Sequence, residues 1–192
     1  MARWDPDARG RLLQAAIELF TEQGYEATTT AQIAQRAGLT RTTLFRLFSD
    51  KREILFQGQS ALIAGATEAI NQVPADARAE EVLAAAIAGM ADLHTAEHRE
   101  TGRLLAPLMT SSPELQERAA FKRDAIARAI EHELFERFED RSLAGVLADM
   151  GVRSFYAGYA SWITSPDDSS LTSLVHQELG AHRAALRQVV AG

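Results

Sequence analysis

Two short stretches of this 192-residue chain carry side chains with chemical reach. The first is RTTLFRLF, residues 41–48. On a helix, Leu44, Leu47 and Phe48 share one side at spacings of three and four, while Arg41, Thr42, Phe45 and Arg46 share the other. The first set suits a core. The second is a stripe of two guanidiniums, a hydroxyl and an aromatic ring. Such a stripe fits the DNA major groove, where arginine forks onto guanine O6 and N7 and apolar groups meet the thymine methyl. Taken alone, a short helix bracing a core with its arginines in water accounts for the same pattern. The second stretch is HTAEH, residues 94–98, which matches the zinc-peptidase motif H-x-x-E-H. It would offer His94 and His98 as zinc ligands one turn apart, with Glu97 as base. The motif names no third protein ligand, so solvated or pocket-lining histidines are the simpler account. His132, His176 and His182 lack metal-ligand spacing, and neither a glycine-rich phosphate loop nor a nucleophile elbow occurs. The expectation is a non-enzyme without cofactor or metal, a zinc-dependent hydrolase using His94, Glu97 and His98 being the remote alternative.

The elements that must hold the arginine stripe are legible from local rules. The pattern is all-α: Ala and Leu dominate at spacings of three and four, and no run alternates like a half-buried strand. Asp5 can cap the first helix, with Pro6 at its first position and Asp7 at its positive end. Leu13, Ala16, Ile17 and Phe20 form its buried stripe, and Gly24 ends it. Thr29 and Gln32 form a capping box opening a second helix, in which Ile33, Ala34 and Ala37 face inward. Gly38 stops that helix, and Thr40 caps a third, short one. Helices two and three therefore make a helix-turn-helix. Beyond it the spacing predicts six longer helices near 51–72, 78–95, 99–110, 113–138, 142–164 and 169–190, with Pro74, Pro113 and Pro166 in connections. The expected division is a three-helix head in residues 1–50 and a six-helix body in 51–192.

Composition bounds the function. With 46% hydrophobic residues the chain can bury a sizeable core. No apolar run approaches the roughly 20 residues of a membrane span, and the N-terminal stretch MARWDPDARG does not read as a signal peptide. Zero cysteines exclude disulfides and thiolate zinc sites and fit a cytoplasmic setting. The net charge of −6 hides an asymmetry, since residues 1–55 hold eight Lys/Arg against seven Asp/Glu. An acidic average is compatible with a DNA-reading head.

The stretch LLQAAIELFTEQGYEATTTAQIAQRAGLTRTTLFRLFSDKREIL resembles the N-terminal domain of the TetR family of transcriptional regulators. The matching pieces are Ala15-Ala16, Leu19-Phe20, Gly24-Tyr25, Thr28-Thr29, Ile33-Ala34, Ala37-Gly38, Thr43-Leu44, Phe48 and Lys51, within the first quarter of the chain. The resemblance implies a homodimer that binds double-stranded DNA at a palindromic operator and is released by a small molecule held in the helical body. It implies phosphate contacts from Thr29, Thr30, Thr43 and Lys51 and base contacts from Arg41, Thr42 and Arg46, beside the cap residue Thr40. Two positions depart from the family. Phe45 stands where tyrosine is usual, and Leu47 where histidine or another polar residue is common. Neither side chain can hydrogen-bond a phosphate, so fewer phosphate contacts are expected and Phe45 is free to touch bases. A ligand-binding or interaction module with weakened DNA binding is the alternative.

In the body, apolar and aromatic residues suited to lining a small-molecule cavity include Met90, Leu93, His94, Leu104, Leu108, Phe121, Phe155, Tyr159 and Trp162. The segments HRETGRLLAPLMTSSPELQERAAFKRD and SWITSPDDSSL resemble a family branch associated with lipid or redox-cofactor metabolism. That implies a hydrophobic or amphipathic, acyl-CoA-like ligand whose anionic head could meet Arg99 or Arg103. The last two helices read as an association surface. Small residues at Ala144, Ala148, Gly151, Gly158 and Ser161 permit close helix approach, with Phe155 among them. Leu171, Leu174, Val175, Leu179, His182, Leu186 and Val189 form one stripe. Two such helices from each subunit would make a four-helix bundle. The same stripe could instead pack on the chain's own core.

Overall fold

A computed structural model describes residues 7–190. The expected Asp5 cap and Pro6 helix start lie outside the described residues, as does the side chain of Val189. Among the described residues there are helices and no strand: α1 (Ala8–Gln23), α2 (Thr30–Arg36), α3 (Arg41–Leu47), α4 (Lys51–Leu55), α5 (Gln59–Gln72), α6 (Ala79–Ala91), α7 (Ala96–Ser111), α8 (Pro113–Phe138), α9 (Arg141–Thr164) and α10 (Leu171–Val190). They form two compact units. One comprises Met1–Gln57 and Leu104–Ala120, the other Gly58–Arg103 and Phe121–Gly192.

The first unit is built on the apolar stripe of α1. Leu12, Ala16 and Phe20 are buried against Ile33 of α2, Leu44 of α3 and Ile54 of α4, with Leu115 closing the core. Each fully buried Leu or Phe contributes about 1.5–3 kcal/mol. Of the expected stripe, Ala16, Ile17 and Phe20 are buried and Leu13 is only half-buried, while Leu12, Ala15 and Leu19 widen it. Gly24 ends α1 at φ 85°, and Gly38 turns the chain between α2 and α3 at φ 67°; both angles disfavour a side chain.

The expected helix over 51–72 is two helices. Residues 56–58 separate α4 from α5, and Gly58 sits in the left-handed region at φ 92°. Ile54, Leu55 and Phe56 all enter the first unit's core, and the chain leaves the helix directly after Leu55. Proline 107 lies inside α7, which runs from Ala96 rather than residue 99.

The second unit packs its helices closely at glycines. A Cβ added to Gly89 on α6 would lie 2.5 Å from the carbonyl oxygen of Gly65 on α5, so the two backbones touch there. A Cβ on Gly158 of α9 would meet the backbone N of Val175 on α10 at 2.7 Å. Arg137 of α8 secures the end of α5, donating to the carbonyls of Ile70 and Val73 at 3.2 Å and to that of Pro74.

Candidate nucleic-acid interface

The arginine stripe depends on caps that hold two seven-residue helices, too short to persist alone. At the start of α2 the Thr29 hydroxyl accepts from Gln32 N at 3.2 Å, and Gln32 Oε1 accepts from Thr29 N at 2.8 Å. That is the expected capping box. At α3 the Thr40 hydroxyl accepts from Thr43 N at 3.1 Å and shares a 3.0 Å hydrogen bond with the Thr43 hydroxyl. The far end of α3 is held from α1: Arg9 Nη2 donates to the carbonyl of Leu47 at 3.3 Å, and its guanidinium lies 4.8 Å over the Phe48 ring.

With Leu44 and Phe48 buried and Leu47 half-buried, the opposite face of α3 points outward. Arg41, Thr42 and Arg46 are exposed there, and Phe45, at 48% exposure, stands among them. The Arg41 guanidinium lies 5.8 Å from the Phe45 ring centroid, so ring and cation form one contiguous patch. Thr29 is exposed and Thr30 and Thr43 are partly so. Lys51, which opens α4, is drawn toward the turn after α1. Its Nζ donates to the carbonyls of Tyr25 at 2.7 Å and Thr28 at 3.2 Å, and sits 4.0 Å over the Tyr25 ring. An ammonium has three donors, so one remains beyond these two bonds.

Further residues position these helices; of them only Asp50, an aspartate directly before a helix, carries a local signal. Arg36 bridges α2 to α1 through Glu22 at 2.8 Å and Glu18 at 3.2 Å. Asp50 caps α4, accepting from the backbone N of Arg52 and Glu53 at 2.8 and 3.2 Å. Although burial opposes its charge, the Arg52 guanidinium and those N–H bonds hold the Asp50 carboxyl below its ordinary range. Glu53 and Arg118 then join α4 to the start of α8 through paired bonds at 2.5 and 2.9 Å. Partners 65 residues apart cannot be matched from one sequence.

The expected ligand-lining residues divide between the units. His94, Phe155, Tyr159 and Trp162 form one aromatic cluster in the second unit, with ring centroids 5.5 to 6.1 Å from that of His94. Met90 is buried beside them, its carbonyl 3.0 Å from His94 Nδ1. Leu93 and Phe121, of the same unit, are 42% and 64% exposed, whereas Leu104 and Leu108 belong to the first unit. Arg99 and Arg103 are engaged as caps: Arg99 donates to the carbonyls of Trp162, Ser165 and Asp167, and Arg103 to those of Ile163 and Ser165. In the HTAEH stretch, His98 Nδ1 accepts from the backbone N of Thr95 at 3.1 Å and so helps start α7. Among the described residues, no group of three or more His, Cys, Asp or Glu comes together to hold a metal.

The expected association stripe lies mostly inside the subunit. Ala148, Gly151, Phe155, Leu171, Val175 and Leu179 are buried, because α9 and α10 pack on each other and on α6; a Cβ on Gly151 would meet Leu83 at 2.6 Å. Leu174 and His182 are partly buried, and Leu186 is 44% exposed. The outward faces of these helices carry Leu143 and Val146 instead. Helical period alone marks an apolar stripe without saying which neighbour covers it.

A helix-turn-helix head on an all-helical chain, its third helix presenting cations, defines a DNA-binding class of protein. Residues 12–57 match the family model described as "Bacterial regulatory proteins, tetR family". An uncharacterized HTH-type transcriptional regulator of Mycobacterium tuberculosis is 35% identical over 86 residues, covering 45% of this chain and 44% of the relative. The match thus spans less than half the length of that relative. Thermus thermophilus FadR, a TetR-family transcriptional repressor solved with lauroyl-CoA, superposes with TM-score 0.52 at 25% identity over 89% of this chain and 91% of that one. Bacillus subtilis FadR, solved with stearoyl-CoA, shares the fold with TM-score 0.57 at 20% identity, over 89% and 95% of the two chains. In residues 12–57, the chain is similar to the TetR family of transcriptional regulators, and its helical fold is like that of solved members.

Proposed function

We propose that the chain is a homodimeric, ligand-responsive regulator, with a DNA-binding head in residues 1–50 and a ligand-binding and dimerisation body in 51–192. It represses transcription from a palindromic operator, in the cytoplasm, and a small molecule releases it. The observation that carries the reading is the exposed patch of Arg41, Thr42, Phe45 and Arg46 on a helix capped at both ends. Arg41, Thr42 and Arg46 face base edges. Thr29, Thr30, Thr43 and the remaining donor of Lys51 reach phosphate and fix register without specifying sequence. Selection of bound sequences from random DNA tests this. Enrichment of a two-fold symmetric site with half-sites about 34 Å apart is expected. No enrichment, with binding equal on all sequences, overturns it and favours a module with weakened DNA binding, which the missing hydrogen-bonding groups at Phe45 and Leu47 would suit.

For the ligand we propose an amphipathic, acyl-CoA-like molecule. Two observations support it: the body's aromatic cluster, and the likeness to a Thermus thermophilus repressor solved with lauroyl-CoA. Because ligand-responsive release requires different affinities for two states, lauroyl-CoA should displace the protein from its selected DNA while lauric acid and free CoA serve as controls. Undiminished DNA binding at saturating lauroyl-CoA removes this ligand class.

A further inference from the structure

The outer face of α9 and α10 carries a groove of about 380 Å³ whose lining includes Val146, Asp149, Met150, Arg153, His182 and Leu186. Two of these are large exposed apolar side chains, Val146 at 56% and Leu186 at 44%. Asp149 and Arg153 stand one turn apart between them, both exposed. An acid four residues before a base normally pairs within its helix. Asp124 and Arg128 do so on α8, at the same spacing, with 2.7 Å between charged atoms. Asp149 and Arg153 form no ion pair with each other or with any other described residue, so each charge is presented outward.

One acid and one base set on a single apolar face make that face its own complement. A two-fold axis crossing α9 midway between the two residues would place Asp149 of one protomer against the partner's Arg153, and Arg153 against the partner's Asp149. The residues are about 6 Å apart along the helix, which is the offset an antiparallel pairing exchanges. An anionic surface would repel the acid as strongly as it attracts the base. A second copy satisfies both. We infer that Asp149 and Arg153 form a reciprocal charge pair across the subunit interface and restrict this face to another copy of the same chain. This rests on the homodimer reading and adds what decides the choice of partner.

Charge exchange tests it on the full-length protein, by light scattering across a dilution series. In Asp149→Arg alone, two arginines face two arginines; in Arg153→Asp alone, two aspartates face two aspartates. Each variant should raise the dimer dissociation constant at least about tenfold, because like charges are then juxtaposed. Both positions are exposed, so the helical content by circular dichroism should stay that of the parent. Mixing the two variants restores both opposite-charge contacts, and a mixed dimer should form with nearly the parental dissociation constant. Single variants that dimerise as tightly as the parent overturn the inference, as does a mixture that stays monomeric. A parent chain that is itself monomeric at all concentrations overturns the homodimer reading instead, which keeps the two failures distinct.

Discussion

Arg46 and His94 show how differently a residue's surroundings bear on its role. Arg46 lies exposed to solvent on the outward face of α3. If it reads a guanine, Arg46→Ala costs about 1–3 kcal/mol at its cognate base pair and relaxes specificity there, while leaving other positions alone. A binding matrix measured for parent and variant checks this, and unchanged discrimination at every position removes Arg46 from the reading set. His94 is the opposite case. Burial among Phe155, Tyr159 and Trp162 disfavours the imidazolium, the bond to the Met90 carbonyl opposes that shift, and nearby His98 and Lys122 reinforce it; the pKa falls below the ordinary 6.5. The folded state therefore prefers the neutral ring. Its contribution to stability is present above about pH 6.5 and is lost as pH falls through the lowered folded value, because the unfolded chain binds the proton first. The melting temperature of the parent should drop between about pH 7 and about pH 5, and His94→Gln should flatten that part of the curve. An unchanged slope would assign the acid sensitivity to other groups.

At the scale of helices, the head is legible because its rules are local. The Thr29–Gln32 box, the Thr40 cap and the glycine stops at Gly24 and Gly38 each involve residues within four positions, and each appears where local chemistry puts it. Thr40→Ala should accordingly destabilise the head by about 1 kcal/mol, the usual cost of losing a hydroxyl cap. It should also lower affinity for every DNA sequence alike, since α3 is held at this end by that cap. Chemical denaturation and binding to unrelated sequences measure the two effects, and a stable variant with weakened binding at one base pair only would contradict the positioning role. The break between α4 and α5 was not legible. Apolar residues continue at helical spacing through Leu55, Leu62 and Ala66, and a lone glycine such as Gly58 is tolerated within many helices. At the break Ile54, Leu55 and Phe56 are all buried in the first unit's core, a tertiary contact that local spacing does not state. The same holds for the Glu53–Arg118 pair and for α9 and α10, whose stripes were visible while their covering neighbours were not.

For the molecule as a whole, net charge and function pull in opposite directions. A chain at −6 is repelled by DNA at long range, so the proposed binding would have to come from the few cations of the head acting at close quarters. In the proposed homodimer, two heads joined through their bodies would place twice as many phosphate contacts on one duplex, and the joining would set their spacing. Under that proposal, a ligand in the body would need only a modest preference for another arrangement to release both heads together. Linkage then fixes a quantity that can be measured from either side. If lauroyl-CoA weakens operator binding by some factor, the operator must weaken lauroyl-CoA binding by that same factor, typically about 5- to 150-fold for coupled sites. Operator titrations with and without saturating lauroyl-CoA give one value. Calorimetric titration of lauroyl-CoA into free protein and into the protein–DNA complex gives the other. Agreement at a finite factor is the result expected if both ligands bind the folded protein together at separate sites. Weakened operator binding without the reciprocal loss would mean that lauroyl-CoA acts as a detergent on the protein, and a coupling without limit would mean that it competes for the cations of α3; either result would force the release mechanism to be abandoned.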